Sequence, residues 1–301
     1  MQIRSDHWPA LLRSLVPTVP AVLLAGMALL AACSRDDHAS VIRITAVETA
    51  ATTAASRTAP SPLPDGAAGR ATIFLDAGHG GSDPGWGSQN LPGSLPEKHL
   101  TLDVARRTAA YLEQAGYHVV LSRTEDIQLN DPKRDLNGDG CIDPIDEIQA
   151  RIDKANATNV AVLLSFHFNG SPNPQLSGSG TFYNAVRDFG ERNRRLAALV
   201  QEAQLATLSG FGHQARDWGA IRDDSIETGN RSECATSPYF ALIGPALPGR
   251  PRPSQMTGVI IEALFLTNPP EAALANRAEV RDTLAKAYAE AVQRFLTGAG
   301  G

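Results

Sequence analysis

Cysteine is scarce in this chain, with three residues among 301, at positions 33, 141 and 234. That count excludes a disulfide-dense scaffold, and the absence of CxxC spacing excludes a zinc–thiolate cluster. Positive charge is also short. A formal net charge of -5 leaves no basic field for nucleic acid, so no nucleic-acid partner is expected. Long apolar runs are missing too. The one extended apolar stretch, from about Leu15 to Ala32, is broken by Pro17 and Pro20. A membrane span usually needs about 20 uninterrupted apolar residues. What is present, 43% hydrophobic and 20% charged residues, suffices for one substantial globular domain with appendages.

The N-terminal stretch has a different use. Arg4 and Arg13 precede it, and it closes on Leu30-Ala31-Ala32-Cys33, which resembles a bacterial lipobox. Residues 1–32 are therefore expected to be a lipoprotein signal peptide, and Cys33 the lipid-modified first residue of the mature chain. Ser34 suits the outer membrane in a Gram-negative host, facing the periplasm. Residues 33–70, rich in Ala, Thr, Ser and Pro, read as a lipid-anchored flexible linker.

From residue 71 to 297, strand-like and helix-like segments alternate, which predicts a single α/β catalytic domain. The expected architecture is a mostly parallel twisted sheet with helices on both faces. Helices are expected around residues 100–115, 145–157, 191–208 and 279–296. Residues 222–255, with five prolines, read as a long surface loop.

Three hydrophobic runs end on metal-capable residues: 72–79 on His79, 160–167 on His167, and 259–262 on Glu262. In open α/β sheets, chemistry gathers at the carboxyl ends of the strands. Each residue also has a plain structural reading: a strand-end histidine bonded locally, or a salt-bridged carboxylate. Glu97 is divided more evenly. Ser94-Leu95-Pro96-Glu97 fits a capping box with Ser94 as N-cap, yet the same position sets a carboxylate beside the His79 loop. Two histidines and one carboxylate form a standard set for catalytic zinc. A carboxylate at the end of a buried strand is costly unless paired, metal-linked or chemically employed, which makes Glu262 the candidate base.

The chain resembles the zinc-dependent N-acetylmuramoyl-L-alanine amidases of the amidase-3 type. The likeness rests on Asp76-Ala-Gly-His79-Gly-Gly, Glu97 opening a helix, Arg151-Ile-Asp-Lys-Ala-Asn156, Ser165-Phe-His167-Phe-Asn169 and Ile261-Glu262-Ala-Leu-Phe265. It implies zinc on His79, Glu97 and His167, and Glu262 as catalytic base. Asn169 is expected to orient the site. It also implies peptidoglycan as substrate, with the amide between the lactyl group of N-acetylmuramic acid and L-alanine cleaved. A protein activator and a monomeric state complete the expectation. A zinc peptidase acting within the stem peptide, and a non-catalytic wall-binding or activator protein, are the alternatives. Two departures stand out: Met256-Thr257-Gly258 replaces the family's usual proline before the Glu262 strand, and residues 222–255 exceed the core pattern.

A second insertion, residues 135–146, matches a calcium loop. Asp135, Asn137, Asp139, Cys141 (by its carbonyl), Asp143 and Asp146 stand at ligand positions, Gly140 at the turn, and Ile142 is expected to point inward. Cys141 and Cys234 are the cysteines left after Cys33, and are expected to pair in an oxidising space.

Overall fold

The computed structural model describes residues 71–87, 93–225, 234, 237–247 and 252–298. The signal, Cys33, the tether and part of the 222–255 loop lie outside them. The apolar runs form six strands: β1 (Thr72–Ala77), β2 (His118–Leu121), β3 (Val160–Asn169), β4 (Ser179–Tyr183), β5 (Asp217–Arg222) and β6 (Thr257–Phe265). They make one sheet in the order β2-β1-β3-β6-β4-β5. All neighbouring pairs are parallel except β4 and β6, which run antiparallel.

Among the described residues, five α-helices flank the sheet: α1 (Glu97–Gln114), α2 (Pro144–Asn156), α3 (Gly190–Gly210), α4 (Pro269–Asn276) and α5 (Ala278–Thr297). Strand alternation sorts the core onto two faces. Ile73, Leu75, Val162, Leu164, Val259 and Ile261 pack with α1, α3 and α5, while Phe74, Leu163 and Ile260 pack with Ile152 and Ala155 of α2. β3 and β6 are the two central strands, and β6 is buried along its whole length. The expected mostly parallel α/β sheet is what the chain forms.

Two elements exceed the sequence reading. β5 was not expected, because Asp-Trp-Gly-Ala-Ile-Arg carries a glycine and charged ends and stays only partly buried. α4 is short and starts with Pro269-Pro270 under an Asn268 cap, whose side chain accepts from Glu271 N. The boundaries of α2 differ from expectation by one residue at each end.

Cys141 and Cys234 are joined by a disulfide, with Cα atoms 6.1 Å apart and a sequence separation of 93. It ties the 135–146 loop to the long 222–255 segment. In the chain-entropy picture, closing so long a loop contributes roughly 4–5 kcal/mol. Thiol labelling of denatured, unreduced protein carrying Cys33→Ser should find no free thiol. Two free thiols per chain would contradict the bond.

Candidate metal centre

The sheet brings His79, Glu97 and His167 together at its carboxyl edge. His79 Nε2 lies 3.0 Å from Glu97 Oε1, His167 Nδ1 lies 3.1 Å from the same oxygen, and the two nitrogens are 3.2 Å apart. Among the described residues, these three form a metal-capable group. A tetrahedral zinc with bonds of about 2.0–2.1 Å has ligand–ligand edges of about 3.3 Å, so the triangle fits such an ion.

Each donor is held by its surroundings. His79 has φ 59, in the left-handed region, and its Nδ1 is 2.8 Å from Asp83 Oδ2. Placing the proton on Nδ1 leaves Nε2 as the donor, the usual role of a carboxylate behind a ligating histidine. Gly78 must lack a side chain, because a Cβ there would sit 2.3 Å from the His167 ring. His167 and Glu262 are neighbours across the parallel β3–β6 pair.

Glu97 departs from the capping-box expectation. α1 begins at Glu97 itself, with no side-chain cap. Its first amides are taken by the loop after His79 instead, Glu97 N donating to Trp86 O at 2.7 Å and Lys98 N to Pro84 O at 3.2 Å. That frees the Glu97 carboxylate, 1% exposed, to face the histidines. Phe168 N and Trp86 N donate to its two oxygens at 2.9 and 3.0 Å.

The electrostatics of the group call for positive charge at its centre. Burial opposes ionisation of Glu97, but His79 and His167 hold its carboxyl well below the usual range. Burial likewise opposes the His79 cation, and Glu97 and Asp83 outweigh it, pushing the imidazole up to about 10. Glu262 behaves oppositely. Burial raises it to about 7, with the Glu97 charge adding to the rise and His167 working against it. Its Oε2 is buried with no hydrogen-bond partner.

Arg151, quoted in the sequence only for the family likeness, and Arg123, which the sequence reading passed over, hold the His79 loop. Arg151 donates to Asp76 Oδ1 at 2.8 Å, Ala77 O at 2.7 Å and His79 O at 2.6 Å. Arg123 donates to Ala77 O at 3.0 Å and Gly78 O at 2.9 Å. Both arginines are buried. Asp76 also accepts from Ser165 Oγ at 2.6 Å. A charge directly after an apolar strand was the available signal, since Arg123 follows β2 as His79 follows β1.

Other expected site residues are placed differently. Asn169 accepts from Gly170 N through its side-chain oxygen at 2.9 Å. In the 135–146 loop, Asp146 is fully buried and accepts from Leu136 N, Asn137 N and Asp143 N, while Asp143 Oδ1 accepts from Ile145 N. Asp143 and Asp146 thus form the capping box of α2. Asp135 accepts from Gly138 N and Gly140 N. Ile142 is 58% exposed and does not point inward. Its neighbour Cys141 is the residue that ties the loop back, through Cys234.

A family model described as N-acetylmuramoyl-L-alanine amidase matches residues 73–294, which include all three donors and Glu262. The chain belongs to this amidase family. AmiC of Neisseria meningitidis is 27% identical over 80% of this chain and 56% of its own length. The germination-specific amidase of Bacillus subtilis is 26% identical over 76% of this chain and 81% of its own. The chain thus spans little more than half of AmiC and most of the Bacillus enzyme. An amidase crystal structure from Clostridium difficile 630 has a TM-score of 0.54 and 26% identity, covering 77% of this chain and 100% of the other. The CwlD amidase of Clostridioides difficile, solved with the GerS lipoprotein, shares the fold with a TM-score of 0.56 at 21% identity, over 76% of this chain and 99% of its own.

Removing one partner of the buried Arg151–Asp76 pair leaves the other charge uncompensated. Arg151→Leu should therefore cost about 3–5 kcal/mol, and the double variant Arg151→Leu/Asp76→Leu should recover part of it. Burial opposes ionised Asp76, but Arg151 and Ser165 outweigh it and lower its pKa. The stability Asp76 contributes is therefore present above about pH 4 and lost as pH falls through its depressed folded value. Denaturant melts of wild type, Arg151→Leu, Asp76→Leu and the double variant check both statements; an additive double variant would contradict the pairing.

Proposed function

We propose that this amidase domain hydrolyses the amide joining the lactyl group of N-acetylmuramic acid to L-alanine in peptidoglycan. The observation that carries the reading is the His79–Glu97–His167 triangle with the unpartnered Glu262 carboxyl beside it. The three donors would hold zinc, which supplies a Lewis acid and an acidified water when bound. Glu262, kept near neutrality by burial, takes a proton from the attacking water as the new carbon–oxygen bond forms. It then returns that proton to the amide nitrogen as the carbon–nitrogen bond breaks, leaving a lactyl carboxylate and a free alanine amine. The Arg151 and Arg123 contacts keep the His79 loop in place throughout.

The proposal extends to an exported lipoprotein in the cell envelope, anchored through Cys33 and acting as a monomer served by a protein activator. Leu30-Ala31-Ala32-Cys33 supports the anchor. It also includes a structural calcium ion in the 135–146 loop, supported by the spacing of Asp135, Asn137, Asp139, Asp143 and Asp146. That ion would replace several of the backbone bonds these carboxylates accept.

Digestion of purified peptidoglycan should release stem peptides with a free L-alanine amine, seen by mass spectrometry. Glu262→Gln should lower turnover by about 10²–10⁴ while retaining bound zinc, and His167→Ala should lose the metal as well. Products cut only within the peptide would sink the amidase reading. Calcium at 100 times its dissociation constant should stabilise the stripped protein by about 2.7 kcal/mol. An unshifted melting curve would remove calcium from the account.

A further inference from the structure

Among the described residues, Glu262 Oε2 has no hydrogen-bond partner, so the backbone of β6 has to aim that carboxyl. The strand is irregular directly after it. His167 of β3 pairs with Glu262 but Asn169 pairs with Phe265, so Ala263 and Leu264 together face the single residue Phe168. Regular alternation would send Ala263 and Leu264 to opposite faces of the sheet. Both pack instead into the core shared with α1, α3 and α5. Two residues against one make a β-bulge, a device that re-aims side chains beside a site.

A carboxylate from α4 holds the strand just past the bulge. Asn268 is the N-cap of that helix and Glu271 stands three residues later, the spacing of a capping box. A capping glutamate would accept from the Asn268 amide, but that amide donates to Phe265 O at 3.1 Å. Glu271 Oε2 accepts from Phe265 N at 2.7 Å, and Oε1 accepts from Gly178 N at 2.7 Å. Gly180 pairs with Glu262 in the antiparallel β4–β6 ladder, a register that would carry Gly178 to Leu264. The carboxylate thus stands where the ladder would continue, and bridges the ends of both strands.

Glu271 is fully buried. An ionised carboxylate so placed is costly unless its oxygens are hydrogen-bonded. His213, between α3 and β5, supplies a further contact, with Nε2 3.0 Å from Glu271 Oε1. With its proton on Nε2, the imidazole donates to that oxygen.

We propose that Glu271 is a positioning residue for Glu262. By clamping the ends of β4 and β6 it fixes the bulge, and so directs the Glu262 carboxyl at the His79–Glu97–His167 group. The inference rests on the amidase reading above, in which Glu262 carries the proton.

The test crosses substitutions at the two positions and measures muropeptide turnover, bound zinc and structure. A glutamine at position 271 accepts from one strand end and turns a donor to the other. Glu271→Gln should lower kcat by about 10²-fold, with KM and bound zinc unchanged. Made on top of Glu262→Gln, the same change should cost less than about twofold, because no carboxyl is left to aim. Equal losses in the two backgrounds would show a general structural role and overturn the proposal. Wild-type turnover in Glu262→Gln alone would remove the proton carrier from the amidase reading, and the crystal structure of Glu271→Gln then decides the positioning. A displaced Glu262 carboxyl supports it; a carboxyl and bulge unchanged from wild type would overturn it. If Glu271→Gln does not fold, His213→Ala, which keeps both amide bonds, should lower kcat about fivefold with Glu262 present and leave the Glu262→Gln rate unchanged. A fivefold loss in both backgrounds would overturn the proposal.

Discussion

Two buried guanidinium groups close on the three-residue turn Ala77-Gly78-His79, and the candidate metal centre depends on that grip. Three carbonyls in a row point away from sheet hydrogen bonding as the chain leaves β1, and Arg151 and Arg123 between them receive all three. Without those donors the Ala77 and His79 carbonyls would lose these partners, at about 1–3 kcal/mol for each left buried and unsatisfied, while Gly78 O would keep the Thr101 hydroxyl at 2.7 Å. The turn is strained as well, since His79 is a non-glycine residue in the left-handed region. Burying two cations so close together is itself unfavourable. Burial and the Arg151 charge together lower Arg123 to about 10. Asp76 offsets part of that cost, which explains a carboxylate inside an otherwise apolar strand.

The centre then divides its two carboxylates by environment. Glu97 receives two backbone amides and faces two histidines, so it stays ionised and suits a cation. Glu262 lies within β6, which is buried along its whole length; its Oε2 lacks a hydrogen-bond partner, and burial raises its pKa to about 7. Environments that push two acids apart in this way support the proposed division into a ligand and a proton carrier.

Much of this was legible in the chain because strand ends are short-range signals. His79, His167 and Glu262 each follow an apolar run, and parallel pairing brings such ends to one edge. Glu97 was ambiguous because the deciding partners, Trp86 O and Pro84 O, come from a loop whose path over α1 no local pattern specifies. Arg123 and Arg151 act through carbonyls, which leave no trace in side-chain spacing. β5 escaped notice because its pairing with β4, and not its own hydrophobicity, makes it a strand. In the 135–146 loop, spacing suggested ligand positions, while the described hydrogen bonds show several of the same carboxylates serving backbone amides and the α2 cap.

Anomalous diffraction at the zinc edge, on crystals of the zinc-loaded protein, tests the central claim most directly. The account predicts one ion bonded to His79 Nε2, Glu97 Oε1 and His167 Nδ1, with the Glu262 carboxyl outside its bonding distance. An ion bonded to Glu262, or held away from any of the three donors, would contradict it.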